Sequence, residues 1–398
     1  MDYSSLSHMH HGKYVFSQIM ESVVHYQFNQ CVDRYQGEYW VKNFSCWEQF
    51  LALAFGQLTF RKSLRDIVVC LTAYREKLYH LGFRSVLRRS TLADANEKRD
   101  WRIYRDYALM LIAETRRLYA DDTTFALEID SAVYAVDSTT IELGLNIFPW
   151  ARLKKKRAAI KVSVGLELHG NIPSFFAITS GKEHDVYFMD KIEYEIGAYY
   201  IFDRGYLDFR RLFTIQKAKA FFVTRAKRNW SFRRLYSHTF DKTTDVRCDQ
   251  VVTLSNYYQA KHYPDKLRRI KYYDAVTKQY YVFVTNNFEL APQVIAQLYK
   301  NRWQIELFFK WIKQHLSIES FWGTSTNAVK TQICIALIAY LLVAILKKNQ
   351  RIDRNSYEIL QILSISPFDK TPIAKLISEY EPQTFEAPAQ KQARLWGD

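Results

Sequence analysis

Two short apolar runs that each stop on an aspartate constrain this chain most. AVYAV, residues 132–136, is followed by Asp137, and AYYIF, residues 198–202, by Asp203. Unbroken runs of apolar, β-branched and aromatic residues suit strands buried on both faces. A carboxylate directly after such a strand is held at the edge of a core, where its position is fixed by the sheet. The strands IELGLN, AIKVSVGLEL and IPSFFAIT, the last two separated by the turn HGN, are expected around the first aspartate, and the helix DFRRLFTIQKA and strand FFVTRA after the second.

Before Asp122 the pattern is different. Apolar residues recur at three and four in YVFSQIMESVVHYQF, WEQFLALAFGQL and SLRDIVVCLTAYREKLYHLG, so residues 14 to about 120 read as helix. Ser63 with Asp66 forms a capping pair, Gly82 ends that helix, and Ser90 is a candidate cap for the next. The second of these helices carries Lys98, Arg99, Arg102 and Arg105, which suits a helix-turn-helix, although FRSVLRR is a long connector for one.

From about 226 to 285 the residues alternate with period two, as antiparallel strands do, and the block is dense in Arg, Lys, Tyr and Trp. A further helix follows, YKNRWQIELFFKWIK. At 100° per residue its Tyr299, Arg302, Glu306 and Lys313 share an arc of roughly 60°, beside an apolar stripe. A glutamate among cations on one helix is by itself an ordinary salt-bridged surface. Two strand-ending aspartates elsewhere in the chain change its meaning. Three carboxylates converging from different elements suit Mg²⁺ or Mn²⁺, and two such ions promote in-line phosphoryl displacement.

Charge points the same way. The chain of 398 residues has 56 Lys+Arg against 41 Asp+Glu, a net +15, and 16% aromatic residues. Cations neutralise phosphate and flat rings stack on bases, so nucleic acid is the expected partner class. The run ARLKKKR, residues 151–157, reads as a solvated loop or a phosphate guide. Five widely spaced cysteines without a CxxC pair argue against disulfides and zinc, and MDYSSLSHMHHGKY has no apolar signal core. His8, His10 and His11 are read as solvated, with no metal assigned. The longest apolar run, Ile333 to Leu346, is shorter than the roughly 20 residues of a membrane span and reads as a buried helix. A cytoplasmic protein without membrane attachment is expected.

VDSTTIEL around Asp137, FDRGY around Asp203, and the spacing Y-x2-R-x3-E-x6-K of Tyr299, Arg302, Glu306 and Lys313 resemble the DDE transposases of the RNase H-like superfamily, of the IS-four type found in bacterial insertion sequences. The likeness covers roughly residues 130 to 320, and a β-rich insertion before the glutamate is typical of the group. It implies an α+β fold. Residues 1–125 are expected as a helical DNA-binding domain, 126–225 and 286–350 as the two parts of an RNase H-like catalytic core, 226–285 as the inserted β-rich subdomain, and 351–398 as a C-terminal helical segment and tail.

The same resemblance assigns Asp137, Asp203 and Glu306 as catalytic ligands of two Mg²⁺ ions, with Mn²⁺ as a substitute, and Tyr299, Arg302 and Lys313 as grips on the backbone near the cut end. Trp230 is the candidate for holding a flipped base, with core packing as its alternative. His184 and Asp185 are left outside the catalytic set. The expected activity is cut-and-paste transposition: hydrolysis at the ends of the element through a DNA hairpin, then joining of the 3′-OH to target DNA, by a homodimer on double-stranded DNA. The alternatives are an RNase H-like nuclease acting on branched or hairpin DNA without strand transfer, and a non-catalytic DNA-binding derivative of a transposase.

Overall fold

The computed structural model describes residues 12–120, 127, 129, 131–154, 157–227, 230–241, 243–315 and 320–378. His8, His10, His11, Lys155, Lys156 and the end of the tail lie outside them. The chain divides into two compact units, one of residues 1–121, 140–160 and 308–382, the other of 122–139, 161–307 and 383–398.

The first unit is largely helical. Its helices Val15–Met20, His25–Arg34, Cys46–Leu58, Leu64–Ala73, Arg89–Lys98 and Arg102–Tyr119 come from the N-terminal region. They are joined by Thr326–Asn349, Ser356–Ile365 and Ile373–Ser378. Thr326–Asn349 is apolar on all sides, which a helix tolerates only when it is surrounded. By length and hydropathy it is long and apolar enough to cross a membrane, yet 89% of its most apolar window is buried. The Tyr119 hydroxyl donates to the Ala344 carbonyl at 2.9 Å, and Ser325 caps its start by accepting from the Ala328 amide. By its contacts this helix belongs to the helical unit.

Three local expectations for this unit are revised. Ser63 does cap its helix, but the helix stops at Ala73 and a 3-10 segment, Arg75–Leu81, leads to the left-handed Gly82. The connection to Arg89 is therefore far longer than a helix-turn-helix allows. Ser90 lies inside Arg89–Lys98, whose cap position is Arg88, with no side-chain hydrogen bond. The long helix expected from Ser90 to Tyr119 is broken at Arg99 to Trp101, because Asn327 supplies partners there: it donates to the Asn96 and Arg99 carbonyls and accepts from the Trp101 amide.

The basic side chains of this region are mostly occupied. Arg99 donates to the Phe44 and Ser45 carbonyls and to Gln49, Arg102 pairs with Asp100, and Arg105 pairs with Asp106. Arg99 ties its segment to the Cys46–Leu58 helix and Arg105 also reaches the Tyr35 hydroxyl, roles that charge in the sequence does not distinguish from phosphate binding.

The second unit holds most of a mixed sheet. The strands of this sheet are β1 Val133–Leu143, β2 Arg152–Lys154, β3 Arg157–Glu167, β4 Ile172–Ser180, β5 Tyr199–Phe202, β6 Phe221–Arg225, β7 Phe232–Ser237, β8 Val246–Leu254, β9 Leu267–Asp274 and β10 Gln279–Thr285, residues 140–160 being counted with the first unit. Their order is β2-β3-β1-β5-β6-β10-β9-β8-β7, with β4 on β3. The section β4-β3-β1-β5-β6, with β1, β5 and β6 parallel, is the RNase H-like core expected from the sequence. The 226–285 block forms the expected antiparallel strands, and they extend this same sheet: β10 pairs with β6. Arg268 of β9 and Asp249 of β8 form a buried bidentate ion pair inside it.

Strand β1 does not end on Asp137. It runs on to Leu143 as a single strand, absorbing the separate strand expected at IELGLN. What ends is the parallel pairing, at Val136 opposite Phe202. There β5 ends and Asp203 opens a turn, so Asp137 still stands at the carboxyl edge of the parallel pairing. Gly165 on β3 lies beneath the Phe175 ring of β4, and a Cβ there would come 1.9 Å from it, so only glycine lets that ring close over the strand.

Candidate active site

The paired levels of the three parallel strands fix what comes next. Val136 is level with Phe202 and Phe202 with Thr224, so the following row reads Asp137, Asp203 and Arg225. In open sheets of this kind, ligands bind outside the carboxyl ends of the strands. Asp203 closes β5 and opens a 3-10 turn, Arg204–Tyr206, accepting from the Gly205 amide at 3.5 Å. Asp137 accepts from the Ser138 amide at 2.8 Å.

The third acid comes from the helices after β10. The single helix expected from Tyr299 to Lys313 is two, Pro292–Asn301 and Trp303–His315, with Arg302 at the joint. There the Arg302 amide reaches the Tyr299 carbonyl and the Ile305 amide the Arg302 carbonyl, three residues back each time, which tightens the chain. Arg302 still meets Glu306 one turn on, donating to Oε1 at 2.6 Å, and its other terminal nitrogen lies 3.6 Å from Asp137 Oδ2. Tyr299 is buried to 1% exposure against Phe283, and its hydroxyl donates to Asp203 Oδ1 at 3.3 Å. Its ring is packed into the protein, and its hydroxyl faces the acids.

Electrostatics tie the group together. Burial first, then the charges of Asp203 and Glu306, push the Asp137 carboxyl up to about 7, against the pull of Arg302 and the Ser138 amide. Burial also works against the Arg302 charge, but Tyr299 and the carboxylates of Glu306, Asp137 and Asp203 outweigh it and hold the guanidinium charged. Asp137, Asp203, Glu306, Arg302 and Tyr299 thus form one interacting cluster. Among the described residues no three His, Cys, Asp or Glu side chains are already drawn together as a metal cage; here the acids are linked by Arg302.

Family comparison fits this arrangement. Residues 129–342 match the model of a transposase DDE domain, more than half of the chain. This chain belongs to the DDE transposase family. Residues 11–84 of the transposase also match a domain of unknown function, DUF4372. It is 34% identical over 292 residues to "Putative transposase y4zB" of Sinorhizobium fredii, covering 72% of this chain and 79% of the relative. It is 30% identical to "Probable transposase for insertion sequence element IS5377" of Geobacillus stearothermophilus, over 64% of this chain and 66% of the other. A third relative, from Synechocystis, is named for insertion sequence element IS4SA and is 25% identical over 65% of this chain and 71% of its own.

The remaining candidates fall elsewhere. Lys313 lies seven residues beyond Glu306 on the same helix, about 10 Å along its axis, and donates to the Thr140 carbonyl at 3.2 Å. Trp230 is partly buried: the indole stacks on Phe209 and lies 4.8 Å from the Phe232 ring, at the edge of the sheet's core. His184 precedes a 3-10 segment without capping it, and Asp185 pairs with Lys161 at 2.6 Å.

Sequence reading passed over three residues of this transposase that the fold brings to the acids. Arg225 is half-buried, with its guanidinium 4.7 Å over the Tyr281 ring, and its charge acts on Tyr299. The signal was present, since FFVTRA ends on a cation where the neighbouring runs end on aspartates. Ser138 and Tyr206 sit within VDSTT and FDRGY, and their hydroxyls lie 2.8 Å apart.

Proposed function

We propose that this transposase carries out cut-and-paste transposition of an insertion sequence, cleaving DNA at the ends of the element and joining the freed 3′-OH to target DNA. One observation supports this reading above all: Asp137 and Asp203, side by side where the parallel pairing of β1 and β5 ends, lie with Glu306 in the field of one cation, Arg302, which pairs with Asp137 and Glu306. The donor set fits divalent metal. Its oxygens are hard ligands, and a carboxyl pushed up to about 7 by burial and like charge marks a place where positive charge is wanting. Asp137, Asp203 and Glu306 would hold Mg²⁺, or Mn²⁺ in its place. Two such ions would activate the attacking oxygen and stabilise the leaving one.

The chain's own groups have separate tasks. Arg302 offers a planar guanidinium that suits phosphate as well as carboxylate. The Tyr299 hydroxyl fixes Asp203, and Lys313 extends the cationic line along the helix toward the DNA backbone. Cleavage through a hairpin and action as a homodimer in the DNA complex belong to the same proposal.

The test uses purified protein, Mg²⁺ and DNA carrying candidate terminal repeats, with products resolved for strand-transfer joints. Joints are expected; hydrolysis without joints under every condition assigns the site to a nuclease instead. Glu306→Gln is expected to keep DNA binding and to lower cleavage by at least about a thousandfold, roughly 4 kcal/mol of transition-state stabilisation. Substantial residual cleavage removes the glutamate from the ligand set.

A further inference from the structure

A chain of three hydroxyls crosses the sheet directly behind the two aspartates. The Ser138 hydroxyl lies 2.7 Å from that of Ser163 on β3 and 2.8 Å from the phenol of Tyr206. Ser138 is covalently next to Asp137 and gives it its amide hydrogen. Tyr206 closes the short turn that Asp203 opens, its amide donating to the Asp203 carbonyl at 3.0 Å. Each aspartate is therefore mechanically coupled to one end of the same link, and Ser163, 2% exposed, anchors it in the sheet.

Packing alone does not account for the phenol. The Tyr206 ring is 2% exposed and lies 5.6 Å from the Phe202 ring, which a phenylalanine would do equally well. The oxygen is what reaches from the turn after β5 to β1. Burial, and then the charges of Asp137, Asp185 and Asp203, keep the phenol protonated, so it stays a neutral hydrogen-bonding partner.

We propose that the Tyr206–Ser138–Ser163 hydroxyl link sets the spacing of Asp137 and Asp203 and thereby makes the acid pair selective for a small, geometrically strict divalent cation. The inference rests on the metal-binding reading of those acids. Mg²⁺ demands near-ideal geometry at short distances, whereas Ca²⁺ accepts longer and more irregular ones. Slackening the link should therefore cost Mg²⁺ more than Ca²⁺. These three are positioning residues, acting through the aspartates; losses of tenfold or more are usual when groups that orient metal ligands are removed.

The experiment measures metal binding by the full chain without DNA. Free Mn²⁺ is followed by electron paramagnetic resonance, and Mg²⁺ and Ca²⁺ are titrated as competitors. Tyr206→Phe is expected to weaken Mg²⁺ by about tenfold and Ca²⁺ by no more than about threefold, with a thermal midpoint lowered by no more than about 4 °C. Ser138→Thr, which keeps the hydroxyl, should retain the parent Mg²⁺/Ca²⁺ ratio. Tyr263→Phe, which removes another buried phenol, one bonded to Gln216, should retain it too. An unchanged ratio in Tyr206→Phe, or an equal loss for both ions, overturns the proposal. Asp137→Asn and Asp203→Asn separate the two levels. If they leave Mn²⁺ binding intact, the metal site itself is wrong; if they abolish it while Tyr206→Phe keeps the parent ratio, only the link is wrong.

Discussion

Arg302 donates to Glu306 at 2.6 Å one helical turn away, and this pair sits at the joint between two helices. The same guanidinium reaches Asp137 on the sheet, so a single cation balances acids from two elements. Its side chain is only 12% exposed.

Removing that cation leaves like charges facing one another. Arg302→Ala is expected to destabilise the protein in metal-free buffer by about 1–3 kcal/mol. Mg²⁺ should recover a larger share of stability in the variant than in the parent, because bound metal stabilises the folded state by mass action. Urea unfolding with EDTA and with Mg²⁺ checks this; an equal Mg²⁺ effect in both proteins counts against a shared charge cluster.

Asp137 makes stability depend on pH. Its folded-state value near 7 lies above the ordinary carboxyl value of 3.8, so the folded protein binds this proton more tightly than the unfolded chain. The resulting stabilisation is complete below about pH 4 and is lost as pH rises to about 7, roughly 2–4 kcal/mol in metal-free buffer. Asp137→Asn lacks this loss, so its stability relative to the parent should grow from pH 4.5 to pH 7 and then level off. A difference that stays constant with pH contradicts the assignment.

The inserted strands carry a second buried charge pair, with a different consequence. Arg268 and Asp249 are 5% and 3% exposed and 2.7 Å apart. Asp249→Asn strands the guanidinium and should cost about 3–5 kcal/mol, whereas replacing both residues with apolar ones of similar volume should cost much less. Chemical denaturation of the single and double variants distinguishes these outcomes.

Gly165→Ala tests the fit of β4 on β3. With Phe175 in the way of a Cβ, the ring must move, and a loss of about 1–3 kcal/mol is expected. Pairing it with Phe175→Leu should relieve most of that loss, read from the shift in urea midpoint.

Much of this protein was written locally. Unbroken apolar runs marked β5 and the first half of β1, and period-two alternation marked β7 to β10, because burial on one or both faces leaves its imprint on neighbouring residues. The acids Asp137, Asp203 and Glu306 were legible for the same reason, each lying beside a strong pattern. Long-range pairing was not. Nothing near Asn327 announces that it patches a helix break at Arg99 to Trp101, and the charges of Arg99, Arg102 and Arg105 look alike in sequence whether they face solvent or the protein's own carbonyls. The Thr326–Asn349 helix declared itself buried but not which helices would bury it. Nor did periodicity distinguish a Tyr299 that shows its ring from one that shows only its hydroxyl. Composition and period determine how strongly a segment must be covered; which residues cover it, and so which polar atoms meet at the acids, depends on contacts between distant parts of the chain that only the tertiary structure decides.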